Sequence, residues 1–132
     1  MMKPVLSKSN RPRTTSRTAD DLYYAAIEHL ADGRPAVAVD VFRSALALRP
    51  THNDARHGLI LALDAAGKTE EGIAAAQQLL TDEPDDVLAW TSLSILYQHA
   101  GRVPEAEAAS AKAKILGWKV ELQANRESKS AE

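Results

Sequence analysis

The stretch 31-ADGRPAVAVDVFRSALALRP-50 is followed, at a constant interval, by 65-AAGKTEEGIAAAQQLLTDEP-84. Each stretch has a glycine near its start, an alanine-rich apolar segment in its middle and a proline at its end. The 34-residue interval relates Gly33, Gly67 and Gly101, and it also relates Pro50 and Pro84. A period of this length fits two helices and their turns, and such units bury their apolar faces only by stacking on one another. The period therefore predicts an all-α array of helix pairs, whose extended surface suits the binding of another chain.

Composition limits the kinds of protein that the chain can be. Its 132 residues allow one domain with a modest core, and that core must be aliphatic, since 45% of the residues are apolar but only six are aromatic. The chain has no cysteine, which excludes a disulfide framework and thiolate metal sites. No apolar run approaches 18 residues, so no membrane span is expected. We predict a cytoplasmic protein.

A basic arm precedes an acidic body. The basic residues of the arm, residues 1–18, are Lys3, Lys8, Arg11, Arg13 and Arg17, and no acid accompanies them. The rest of the chain holds 11 basic and 18 acidic residues, a net charge of −7, which with the arm gives −2. The arm has two prolines and no helical period, so we expect it to be disordered in isolation. It is rich in Arg, Ser and Thr, as a transit peptide would be, but it lacks the apolar face of one.

Start and stop signals predict six helices that alternate with turns. Thr18 with Asp21 forms a short capping box before the first helix, and Thr51 with Asp54 repeats this pattern before the third. The expected helices lie near 19–32, near 35–48, from Thr51 to Gly67, from Thr69 onwards, from a cap at Asp85 to Gly101, and from Pro104 to a C-cap at Gly117. Residues 119–132 are mixed in charge and are expected to be only weakly helical.

The repeat resembles the tetratricopeptide repeat over about residues 19–118. The spacing of that family is kept by Trp90, Leu93, Tyr97, Gly101 and Ala106 in the third copy, by Leu59, Gly67, Leu79 and Pro84 in the second, and by Gly33, Ala38, Phe42, Ala45 and Pro50 in the first. The resemblance implies a right-handed superhelix of three antiparallel helix pairs, with repeats at 19–52, 53–86 and 87–118. It also implies a concave face that is lined by the first helix of each pair and binds a peptide segment. Residues 1–18 and 119–132 would be a basic disordered arm and a polar C-terminal tail.

Paired helices approach most closely where the family keeps two small residues. The pairs at these places are Ala26 with Ala38 in the first repeat, Ile60 with Gly72 in the second, and Ser94 with Ala106 in the third. The second repeat thus sets a large residue against the smallest one. This volume-conserving exchange accounts for a glycine inside a helix.

Both ends of the array are predicted to be polar. The face formed by Ala55, Ala62 and Ala66 in the second repeat, and by Ala89, Leu96 and Ala100 in the third, becomes Asp21, Glu28 and Asp32 in the first. At the other end, Ile73, Ala76 and Leu80 of the second repeat become Glu107, Ser110 and Lys114 in the third. A terminal helix must expose a face to water, so these exchanges predict three repeats, no fourth and no end-to-end stacking.

The sequence contains no catalytic or metal-binding pattern. His29, His52, His57 and His99 are spread over three repeats, and no phosphate loop, nucleophile elbow or paired-carboxylate motif is present. The acidic run around Pro84 is typical of a solvated turn with a helix cap. We therefore predict that the chain is not an enzyme and has no catalytic residue, cofactor or metal. By the resemblance, Trp90 is a packing residue.

One subclass of the family binds the acidic C-terminal tails of heat-shock chaperones through a clamp of Lys, Asn and Arg side chains. The residues at those places here are Tyr23, Ile27, Gly58, Leu88 and Ser92. None of them can donate a charge-assisted hydrogen bond to a carboxylate. A chaperone-tail carboxylate clamp is therefore not expected.

The concave face that the resemblance implies is apolar instead. Its centre would be formed by the equivalent residues Ile27, Leu61 and Ile95, flanked by Tyr23, Leu30, Leu88 and Thr91, with His57 and Gln98 as polar handles. Apolar residues in all three copies, at positions that could be polar, predict a groove for an apolar or amphipathic segment of a partner protein. The chain would then be a non-enzymatic scaffold or adaptor, as a subunit or assembly factor of a larger complex. Trp118 and the basic residues of the arm would form a secondary contact.

Two other interpretations remain open. The groove could be covered by the tail, through Val120 and Leu122, or by a second copy in a self-associating homodimer. Alternatively, the arm could bind nucleic acid. Five charges without aromatic neighbours and an acidic body disfavour that role.

Overall fold

The structure, a computed structural model, describes residues 18–130, which form six α-helices and no strand. The helices are α1 (Ala19–Ala31), α2 (Pro35–Leu48), α3 (Asn53–Ala65), α4 (Thr69–Asp82), α5 (Val87–His99) and α6 (Val103–Ser130). The all-α fold class is confirmed. The predictions for Lys3, Lys8, Arg11, Arg13 and Arg17 concern residues outside the described range.

The chain divides into two compact units, and the division falls inside α3, after Gly58. In the first unit, α1 and α2 pack against each other. Their buried side chains are Ala19, Ala26, Ala38, Val39, Phe42 and Ala45. Ala26 and Ala38 have no exposed surface, as the predicted close approach of two small residues requires.

Two different caps start helices in the first unit. Thr18 Oγ1 accepts a hydrogen bond from the Asp21 N–H at 3.1 Å, and Asp21 Oδ2 accepts one from the Thr18 N–H at 3.2 Å, so the predicted capping box is confirmed. The predicted Thr51 cap of α3 is wrong. His52 caps this helix instead, because its Nδ1 accepts from the Ala55 N–H at 3.2 Å.

The three repeat glycines end their helices in the same way. Gly33, Gly67 and Gly101 have φ values of +78°, +81° and +76°, in the left-handed region that residues with a Cβ rarely adopt. After α1, the Gly33 N–H bonds to the Leu30 carbonyl and the Arg34 N–H bonds to the His29 carbonyl, which is a Schellman motif. The same pair of bonds follows α3 and α5. The glycine period therefore marks one turn that is repeated three times.

The core of the second unit is mainly aliphatic, with Tyr97 as an aromatic member, and it joins α3, α4, α5 and α6. The Ser94 hydroxyl of α5 donates to the Ala106 carbonyl of α6 at 2.9 Å, so these helices approach closely, as predicted. At Gly72 the approach is also close, but the neighbour differs from the expected one. A Cβ added there would lie nearest to Leu96 Cδ2, at 2.6 Å, and next to the Ile60 carbonyl oxygen, at 3.4 Å. Gly72 therefore makes room chiefly for the Leu96 side chain of α5, and it also lies close to the backbone of α3 at Ile60.

Two helix boundaries predicted for the second unit are wrong. The cap of α5 is Asp86 and not Asp85, because Asp86 Oδ1 accepts from the Ala89 N–H at 3.0 Å. Gly117 is not a C-cap, since α6 continues through it to Ser130. The segment after Gly117 has several good helix formers and no proline, so a single glycine does not end the helix. Residues 119–130, which were expected to be weakly helical, belong to α6.

The burial pattern agrees with polar faces on α1 and α6. Asp21 and Glu28 on α1 and Asp32 at its C-cap are exposed, whereas the counterparts Ala55, Ala62, Ala89 and Leu96 are buried. On α6, Glu107 and Lys114 are exposed and Ser110 is half-buried. Each of these two helices therefore turns a polar face to water.

Candidate functional site

One side of α5 is aliphatic and exposed. Leu88, Thr91 and Ile95 follow the i, i+3, i+7 spacing that places side chains on one helical face, and Leu88 and Ile95 are 57% and 42% exposed. The opposite side of the helix fills the core with Ala89 and Leu93. Because α5 is apolar on both sides, its solvent-facing side is not explained by the packing of this helix.

A hydrogen bond between α3 and α5 brings a further leucine to this side. His99 Nδ1 and Asp64 Oδ2 are 2.7 Å apart, and Asp64 also accepts from the Thr69 hydroxyl at 2.8 Å. Leu61 lies one helical turn before Asp64 on α3, and Ile95 lies one helical turn before His99 on α5. The two side chains are therefore on the helix faces that this hydrogen bond joins. Leu61 is 48% exposed. We call Leu61, Leu88, Thr91 and Ile95 the aliphatic face.

The aliphatic face continues into a cleft between α5 and α6. The cleft has a volume of about 350 Å³, and it is lined by Val87, Thr91, Ser94, Ile95, Ser110, Ala113 and Lys114. The sequence did not predict the α6 residues of this cleft, because Ser110 and Lys114 were assigned to a polar end. The small Ala106, Ala109 and Ala113 on one side of α6 were the only sign that a space could form there.

The other predicted groove residues are found in both units. Gln98 is exposed on α5, next to the aliphatic face. In the first unit, Ile27 is partly exposed and Leu30 and His57 are half-buried. The predicted groove residues of the second unit therefore lie together, on the aliphatic face and beside it. The remaining predicted residues belong to the first unit.

Tyr23, predicted as a flank of the groove, is held by aromatic packing. Its ring lies 5.3 Å from the His52 ring and 6.1 Å from the Phe42 ring, between the centroids. Burial raises the pKa of the Tyr23 phenol above its ordinary value, and the nearby Asp54 and Tyr24 raise it further. The uncharged phenol is therefore the form that this environment favours.

The two tryptophans have different surroundings. Trp90 is half-buried against the core, and its Nε1–H donates to the Pro84 carbonyl at 2.8 Å, which supports its predicted packing role. Trp118 is 61% exposed on α6. Val120 and Leu122 are also exposed, so residues 119–130 do not cover the aliphatic face, contrary to the self-cover interpretation. The physical reason is that α6 is continuous and does not turn back after Gly117.

Histidine side chains form hydrogen bonds with nearby residues in both units. His29 Nδ1 accepts from the Arg34 guanidinium at 3.2 Å, His52 bonds to Asp20 and His99 bonds to Asp64. Between residues 18 and 130, no group of three or more His, Cys, Asp or Glu side chains is placed to hold a metal ion. In the same range, no helix is both long and apolar enough to cross a membrane.

Comparisons with known proteins identify the fold. A family model described as "Tetratricopeptide repeat" matches residues 29–93. A crystal structure of MamA is similar to this chain with a TM-score of 0.71 and 24% identity, over 77% of this chain and 60% of that one. Another MamA structure, MSR-1 C2, gives a TM-score of 0.72 and 19% identity, over 83% and 64% of the two chains. This chain thus spans less than two thirds of these MamA chains.

A third solved structure is of similar size to this chain. It is the second tetratricopeptide repeat domain of Spaghetti (RPAP3) bound to the HSP90 peptide SRMEEVD. The TM-score is 0.69 at 13% identity, over 81% of this chain and 99% of that one. A search of the curated proteins found no significant match.

Proposed function

Because residues 29–93 belong to the tetratricopeptide repeat family, we propose that this chain is a non-enzymatic interaction module that holds an apolar or amphipathic segment of a partner protein. Proteins with these repeats generally mediate protein–protein interactions. The proposal assigns this role to the aliphatic face and to the adjoining cleft between α5 and α6. The role of scaffold or assembly factor in a larger complex, in the cytoplasm, is part of the same proposal.

The observation that carries the proposal is the exposure of Leu61, Leu88 and Ile95 on adjoining helices. Each of these side chains leaves two fifths or more of its surface in water. Burying a fully exposed side chain of this kind gains about 1.5–3 kcal/mol, so a partner that covers these half-exposed side chains gains roughly half of that for each of them. Single exposed leucines are common on protein surfaces, but a contiguous group supports a binding site.

The chemistry of the site suggests which segments it would hold. Apolar side chains form its floor, and Gln98, Ser110 and Lys114 lie at its edges. This arrangement favours an amphipathic segment whose apolar residues meet Leu61, Leu88 and Ile95. The fold is that of a domain solved with an acidic chaperone peptide, but Leu88 and Ser92 stand at two of the clamp positions, and Ser92 is buried. We therefore propose a partner that is not recognised by its terminal carboxylate.

The proposal extends to residues that the sequence analysis assigned to the same function. Tyr23, Ile27, Leu30 and His57 remain predicted contacts in the first unit, with Tyr23 restricted by its aromatic packing. Trp118 and the basic arm remain predicted secondary contacts. Each of them can be tested separately from the aliphatic face.

The proposal is tested with the double variant Leu88→Ser/Ile95→Ser. We expect the wild-type chain to co-purify with a partner, and the synthetic segment of that partner to bind the pure chain in fluorescence anisotropy. The double variant should lose this binding while its far-UV circular dichroism stays helical. Val103→Ser is the matched control, since Val103 is as exposed as Leu88 but lies outside the face. Retention of the segment by the double variant would contradict the proposal.

A further inference from the structure

We propose that α6 carries a second interaction surface, through which two copies of this chain associate in parallel. The surface is an apolar stripe formed by Ala108, Ala111, Ile115, Trp118 and Leu122, which we call the α6 stripe. It is separate from the aliphatic face, and the inference does not depend on the proposed function. Its occupant is a second copy of α6.

The α6 stripe has the spacing of a coiled-coil seam. The spacing between successive members is three and four residues in alternation, which is the pattern of the a and d positions of a heptad. All five are exposed, with Ile115, Trp118 and Leu122 at 48%, 61% and 59%. The core side of α6 is formed by the buried Ala106, Ala109 and Leu116. A helix of this kind has two apolar sides, and only one of them packs against other parts of the chain within residues 18–130.

The charges beside the stripe favour one partner and one direction. One edge carries Lys112, Lys119 and Arg126, and the other carries Glu107, Lys114 and Glu121, in both cases seven residues apart. In an antiparallel pair, each edge would face the same edge of the second copy. The three basic residues of one chain would then meet the three basic residues of the other. In a parallel pair, residue i of the edge that starts at Glu107 meets residue i+5 on the edge of the second copy that starts at Lys112. Glu107 then faces Lys112 of the second copy, and Glu121 faces Arg126 of the second copy.

The third pair in this register is unfavourable. Lys114 faces Lys119 of the second copy, so two of the three contacts on each side of the seam attract and one repels. The stripe has only three large side chains, and the seam position after them is the polar Asn125, so the apolar seam is short. We therefore infer a weak dimer that forms at high concentration or when the chains are brought together by another contact.

If the α6 stripe bound a membrane, the residues beside it would be expected to carry different charges. Interfacial helices carry Lys and Arg along their polar face, so that they meet anionic lipid headgroups. Here one edge has two glutamates out of three residues. These glutamates oppose binding to an anionic surface, and they are the residues that pair with a second copy of α6.

Sedimentation equilibrium of the full chain tests the proposal. We expect a reversible monomer–dimer equilibrium that the variant Trp118→Ser/Leu122→Ser shifts entirely to monomer. Lys114→Glu replaces the repulsive pair by an attractive one on both sides of the seam, so it should tighten the dimer about tenfold. A gain in affinity cannot come from misfolding, which keeps this variant informative if the serine variant unfolds.

A charge exchange tests the direction of the pair. Glu121→Arg should weaken the dimer about tenfold, and the double variant Glu121→Arg/Arg126→Glu should restore it to within about threefold of wild type. A chain that is monomeric at every concentration, or a dimer that is indifferent to these variants, would overturn the proposal. So would co-sedimentation of a monomeric chain with anionic vesicles that Trp118→Ser abolishes.

Discussion

At the scale of single residues, the His52 imidazole joins two helices of the first unit through its two nitrogens. Nδ1 accepts from the Ala55 N–H, so the ring proton is on Nε2, which donates to Asp20 Oδ1 at 2.8 Å. Asp20 also lies 3.5 Å from the Arg49 guanidinium. His52 is only 4% exposed, so its ring lies inside the first unit.

This bridge leads to the first prediction. His52→Ala removes the cap of α3 and the partner of Asp20, so we expect a loss of about 1–3 kcal/mol of unfolding free energy. Thr51→Ala is the matched control, and it should change stability by less than about 0.5 kcal/mol. Urea denaturation followed by circular dichroism measures both. If Thr51→Ala costs as much as His52→Ala, the hydroxyl is the cap and the assignment to His52 fails.

Two glycines inside helices lead to a second prediction. A Cβ on Gly58 would collide with the buried ring of Phe42, which has no free end that can move aside, whereas a Cβ on Gly72 would meet the flexible end of Leu96. Alanine gains about 1 kcal/mol over glycine in a helix interior. We expect Gly58→Ala to destabilise by about 1–3 kcal/mol despite that gain, and Gly72→Ala to be close to neutral. Thermal melts showing the reverse order would contradict the packing at Gly58.

At this scale, a feature can be predicted from the sequence when the residues that determine it are close together in the chain or recur in each repeat. The small residues at the close approaches were predictable, because the repeat places them at equivalent positions. Two details were not. The cap at His52 depends on Asp20, 32 residues away, and the neighbour of Gly72 depends on the rotamer of Leu96 in the next helix pair.

At the scale of the helix, chain turns were predicted where the backbone demands a particular residue. Gly33, Gly67 and Gly101 adopt positive φ, and the 34-residue period identified all three. Gly117 does not adopt a positive φ, although the sequence around it looked similar. The residues that follow it favour helix, and the cost of one helical glycine is too small to stop them.

The third prediction tests this difference between glycines. Gly117→Ala should raise the helix content and stabilise the chain by about 0.5–1 kcal/mol, because nothing lies within 4 Å of the added Cβ. Gly101→Ala has equal space but a φ of +76°, so it should cost about 1 kcal/mol or more. Far-UV circular dichroism and thermal melts of the two variants compare them directly. Destabilisation by Gly117→Ala would show that α6 ends there after all.

At the scale of the whole molecule, the repeat predicted the fold better than it predicted the site. The period and the glycine turns are enough to give the helix pairs, because stacking is the only way that such units bury their apolar faces. Comparison of the three copies also predicted Leu61 and Ile95, since the equivalent residues are apolar in every copy without a packing reason, and Leu88 was predicted as a flank of the same face. The cleft beside them was missed, because Ser110 and Lys114 line it from a helix face that looked purely polar. The α6 stripe was missed because the helix was expected to end at Gly117.

The distribution of charge along the chain gives the last prediction. Five positive charges lie in residues 1–18, and the remainder carries a net charge of −7. If the chain binds a polyanion, the arm must supply the contacts, so the logarithm of the binding constant for duplex DNA should fall with that of salt at a slope of about −4 to −5. A deletion of residues 1–17, which spares the Thr18 cap, should abolish this binding and leave the melting temperature unchanged. Binding that survives the deletion would assign the contact to the acidic body, and a large drop in melting temperature would show that the arm packs on it.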